Sequence, residues 1–93
     1  MNIQKIKTYI GFAKKSNSIV YGVDNLKEKK VNLVFYSKTI SDSSKQRCVS
    51  LKEKGVNVFE IEDNNMLEII ENVSVKAFGI KNEELAKAII NNL

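Results

Sequence analysis

The side chains with the most obvious chemistry to offer are cations. Lys14, Lys15, Lys27, Lys29, Lys30, Lys38, Lys45 and Arg47 all fall in the first half of a 93-residue chain. Fourteen of its 15 basic residues are Lys. An ammonium group is a point charge suited to a phosphate oxygen, whereas bidentate forks belong to Arg. Up to Lys54 the chain holds 12 basic and 4 acidic side chains, a balance of +8; the remainder holds 3 and 7, a balance of −4. A fold that gathers the first set on one side attracts polyanions. The same lysines would serve equally as a solvated surface.

Other chemistry is excluded by what is missing. There is no His and one Cys, Cys48, so a zinc site lacks its N and S ligands. General acid–base catalysis by His and Ser-His or Cys-His nucleophiles are ruled out likewise. No P-loop, paired-Gly fingerprint or EF-hand spacing occurs. The expectation is a non-enzymatic protein without a cofactor or metal. A single thiol suits a reducing, cytoplasmic setting. No run approaches the ~20 apolar residues of a membrane span, and Met1–Lys7 does not resemble a signal peptide, so a soluble protein is expected.

The elements that must position these groups follow from periodicity. Ile3, Ile6, Ile10 and Ala13 recur at helical spacing and predict an amphipathic helix over about residues 2–15. Ile19-Val20-Tyr21 reads as a short strand stopped at Gly22. Asp24 or Asn25 then caps a helix of barely two turns anchored by Leu26. The nearly continuous apolar run 31–36 predicts a strand covered on both faces. Ser41-Asp42-Ser43-Ser44 opens a helix running to Lys54, closed by Gly55. Residues 56–61 form a third strand. Asn64 caps a short helix carrying Met66, Leu67 and Ile70, and residues 73–80 alternate as a fourth strand. Asn82-Glu83-Glu84 starts a last helix with Leu85, Ala88 and Ile89 as its stripe. The order α-β-α-β-α-β-α-β-α, in one domain, argues for a three-layer α/β/α sandwich around a four-stranded mixed or parallel sheet. Tyr9, Tyr21 and Tyr36 are expected in the core rather than stacked on bases, and Cys48 as a small buried hydrophobe.

Several segments in sequence order resemble one family. Ile10-Gly11-Phe12-Ala13-Lys14-Lys15, Ile19-Val20-Tyr21-Gly22, Val31–Tyr36, Thr39–Lys45, Val56-Asn57-Val58 and Val75–Ile80 with Leu85–Ile89 are similar to successive motifs of YlxQ-like bacterial members of the ribosomal L-seven-Ae/L-thirty-e superfamily. The resemblance implies the same three-layer sandwich. It also implies binding to structured, kink-turn-like RNA, with ribosomal RNA, the ribosome or translation factors as partners of a monomeric protein. RNA would be met by the second helix's start, at Gly22, Asp24, Asn25 and Lys27, and by the loop before the last strand, at Asn72, Val73 and Ser74. Lys30 and Lys38 would add phosphate contacts. The chain departs from the family in being about four residues shorter between Gly22 and Val31, roughly one helical turn. The alternative is a protein–protein module of the same fold, dimerising or docking on a translation factor through Glu60, Glu62, Asp63, Glu68 and Glu71.

Overall fold

The structure, a computed structural model, describes residues 1–93. Its elements are α1 (Ile3–Lys15), β1 (Ile19–Tyr21), α2 (Val23–Glu28), β2 (Leu33–Ser37), α3 (Asp42–Val49), a 3₁₀ turn (Ser50–Lys54), β3 (Asn57–Ile61), α4 (Asp63–Ile70), β4 (Ala77–Ile80) and α5 (Glu83–Ile90). The strands form one sheet in the order β1-β4-β2-β3, with β2 and β3 parallel and β4 antiparallel to both its neighbours. The sheet is mixed and central, and β2 is buried along its whole length.

Each sheet face has its own core. Leu33, Phe35, Phe78 and Ile80 point to the face covered by α1, α4 and α5, where Ile6, Ile10, Met66, Ile69 and Ile89 meet them. Val20, Val34, Tyr36, Val58 and Ala77 point to the other, covered by α2, α3 and the 3₁₀ turn through Leu26, Cys48 and Leu51. Alternate residues of one strand serve opposite faces, which is why a continuous apolar run was needed for β2. The result is a three-layer α/β/α sandwich.

Local signals explain most boundaries. Asn2, Ser41 and Asn82 each accept the amide of the residue three positions on, capping α1, α3 and α5. Gly55 takes the left-handed conformation at φ +84° and ends the 3₁₀ turn.

Several expectations are corrected. The N-cap of α2 is Gly22, so Asp24 and Asn25 lie inside its first turn rather than capping it. The third helix is α only to Val49. Glu62, not Asn64, precedes α4, and Ile69 faces the core while Leu67 faces outward. β4 begins only at Ala77, and the alternation over 73–76 belongs to a turn. The buried residues of α5 are Ala86 and Ile89, with Leu85 and Ala88 at the margin.

Candidate nucleic-acid interface

Antiparallel pairing of Tyr21 with Phe78 brings the end of β1 beside the start of β4. The Gly22 amide then donates to the Ala77 carbonyl at 3.0 Å. Gly22 sits at φ +87°, ψ 146°, a region open essentially to glycine. This turn sets α2 against the segment that leads into β4. That segment starts where α4 ends on Glu71, held at φ +60°. Asn72 Oδ1 accepts from the Ser74 amide at 3.0 Å and from Ser74 Oγ at 2.7 Å, a side-chain-locked turn. The turn forces Val73 outward, 77% exposed, while Val75 packs inward.

Between the two segments lies an open cleft of about 410 Å³, lined by Tyr21, Gly22, Asn72, Ser74, Val75 and Lys76 among others. Val73 rims an adjoining hollow of about 160 Å³ with Asp63, Leu67 and Lys76. Asn25 is one turn into α2, where its Nδ2 donates to the Tyr21 carbonyl at 2.9 Å and its Oδ1 remains an acceptor. Gly22, Asn25, Asn72, Val73 and Ser74 therefore converge, although about 50 positions of chain separate the two groups.

Charge is arranged differently from the sequence-based expectation. Three cations near this end stand beside carboxylates, Arg47 by Asp24 at 2.5 Å, Lys38 by Glu62 at 3.2 Å and Lys76 by Asp63 at 3.8 Å, while Lys14 donates to the Ile70 carbonyl at 3.0 Å. Asp63 is also bound by the hydroxyls of Ser37 and Thr39, which with the nearby Lys76 hold its carboxyl below the usual carboxylate range. Lys27 and Lys30 are not part of this end. They line a separate groove with Lys29 and Lys54 where α2 finishes and β2 begins. The lysine-rich half is divided between the two ends rather than gathered beside the start of α2. With six residues, α2 is also too short for a sizeable macrodipole.

Three contributors at the cleft carried no clear sequence signal. Tyr21, expected in the core, is instead 40% exposed at the end of edge strand β1, and the burial it does have pushes its hydroxyl pKa up. Lys76 and the Ser37–Thr39–Asp63 cluster depend on contacts distant in sequence. Tyr36 is buried, as expected of a core aromatic. Cys48 is fully buried, and desolvation raises its thiol pKa. On the acidic side, Glu60, Glu62, Asp63 and Glu71 pair with Lys45, Lys38, Lys76 and Lys7, leaving only Glu68 of the five without a partner.

Comparison with known proteins adds fold information only. No protein-family model matches the chain, and no curated protein matches it. Among solved structures, a protein of unknown function from Bacillus halodurans superposes with a TM-score of 0.76, covering 94% of each chain at 15% identity. The two share an architecture. No helix of the protein is long and apolar enough to cross a membrane.

Proposed function

We propose that the protein binds structured RNA without catalysing a reaction, in the manner implied by its resemblance to YlxQ-like members of the ribosomal superfamily. Ribosomal RNA is the favoured target and the translation apparatus the favoured setting. The observation that carries this is the cleft where the Gly22 turn and the Asn72–Ser74 turn meet, the two segments that the resemblance marks for RNA.

Its parts suit irregular RNA, which is read through splayed bases and backbone shape. Val73 and Tyr21 present apolar and aromatic surface for an unstacked base. Asn25 Oδ1 and Asn72 Nδ2 are left for base edges, since the opposite atom of each amide is already used within the chain. Lys38, Lys76 and Arg47 are held in exposed ion pairs worth only about 0.2–1 kcal/mol each, so a phosphate can take them over from their carboxylates. The alternative of protein docking through the acidic half finds less support, because four of its five carboxylates are engaged within the chain.

The test is affinity for a kinked RNA hairpin against a straight duplex of the same length. The hairpin should bind more tightly, and Tyr21→Ala or Val73→Ser should weaken it. Loss of one base-stacking platform at 1–3 kcal/mol corresponds to about 5- to 150-fold. Equal affinity for the two RNAs, or indifference to both substitutions, overturns the proposal.

A further inference from the structure

The groove at the other end of α2 has a composition of its own. Lys27, Lys29, Lys30 and Lys54 ring it, over a floor that includes Leu26, Val31 and Leu51. None of these four lysines has a carboxylate within ion-pair distance, although Glu28 and Glu53 are interleaved with them in sequence. At the cleft, by contrast, the lining cation Lys76 is paired with Asp63. The groove thus gathers four of the nine lysines that form no ion pair.

We infer that this groove is a second RNA-contacting surface, one that takes the phosphodiester backbone of a single-stranded segment. At about 160 Å³ it is smaller than the 300–1,000 Å³ of a small-molecule pocket, so it suits a chain running across it. The groove has no aromatic for stacking and no Arg fork for bidentate recognition. What remains is a set of point charges whose alkyl stems lie along an apolar floor, a design for phosphates irrespective of sequence. Cations also gather at helix C-termini for intrinsic reasons. Here α2 spans six residues and the 3₁₀ turn five, too little aligned backbone to hold four ammonium groups. The groove extends the RNA proposal above but stands on separate residues.

The experiment uses a ten-nucleotide oligouridylate, which cannot form a kink, alongside the kinked hairpin. Lys27→Gln, Lys30→Gln and Lys54→Gln combined should lower affinity for the oligouridylate at least tenfold. The slope of log K against log salt should shrink by about 2, at roughly 0.7 per single-strand phosphate contact. Amide shifts on titration should centre on residues 27–32 and 52–56. Tyr21→Ala with Val73→Ser should weaken the hairpin far more than the oligouridylate and leave the salt slope of the oligouridylate unchanged. Oligouridylate binding through the groove with no preference for the hairpin would refute the cleft and keep the groove. The groove inference is overturned if the triple variant changes neither affinity nor slope, or if the shifts map to residues 21–25 and 72–77. It is likewise overturned if a ten-residue polyglutamate competes as well as the RNA, since the surface would then fit an acidic protein.

Discussion

Gly79→Ala is the substitution that most directly couples the sheet to the helix carrying Asn25. Gly79 lies on β4 between Val20 and Val34, facing the α2 side of the sheet. A Cβ there would stand 2.5 Å from Leu26 Cδ2, 3.0 Å from Val31 Cγ1 and 3.2 Å from the Leu33 carbonyl oxygen. The Leu26 methyl can rotate aside, but Val31 is β-branched and stiff and Leu33 O is backbone. Overpacking of this kind costs about 1–3 kcal/mol, and relief by Leu26 places the expectation near 1–2. In a domain of this size each kcal/mol lowers Tm by about 4–8 °C, so a loss of about 4–16 °C is expected by calorimetry or circular dichroism. Leu26 is the only buried residue of α2, and Leu26→Ala alone should cost about 2–5 kcal/mol. Because the new methyl would partly fill the space that Leu26 vacates, the double variant should cost at least 0.5 kcal/mol less than the two singles summed. A Tm within 1 °C of wild type for Gly79→Ala, or strict additivity in the double variant, would refute the close packing of α2 on this glycine.

Two further consequences concern titratable groups. The lowered pKa of Asp63, caused first by Ser37 and then by Thr39 and Lys76, contributes stability that is full above the unfolded value near 3.9 and is lost as pH falls through the folded value. The gap in urea midpoint between wild type and Asp63→Asn should therefore be widest near neutrality and close below about pH 4; a constant gap would contradict the assignment. Cys48, fully buried and with its thiol pKa raised by desolvation, should react with iodoacetamide at pH 8 only as fast as the chain opens. Labelling at the rate of a free thiol would contradict that burial.

Local chemistry wrote much of this protein into its sequence. The stripe Ile6, Ile10 and Ala13, the caps Ser41 and Asn82, and Gly55 all act within one or two turns of chain, so spacing and residue type alone locate them. The apolar run of β2 announces a strand covered on both sides because no polar face is left for water. The alternating order of helices and strands limited the layers to a sandwich.

The site was legible only in outline. Gly22 and the Asn72–Ser74 turn meet because β1 pairs with β4, a register set by side chains nearly 60 positions apart. The apparent alternation of residues 73–76 dissolves into a turn once Asn72 locks it, and Asn25 becomes a bonded residue of α2 because Gly22 assumes the cap. Total charge could be counted from the sequence, but not its compensation. Whether a lysine meets a carboxylate depends on which strand ends lie together, and the sheet order sends Lys38, Lys76 and Arg47 to one end and Lys27, Lys30 and Lys54 to the other. Periodicity is a property of neighbours along the chain; proximity across the sheet is decided only when the whole core closes.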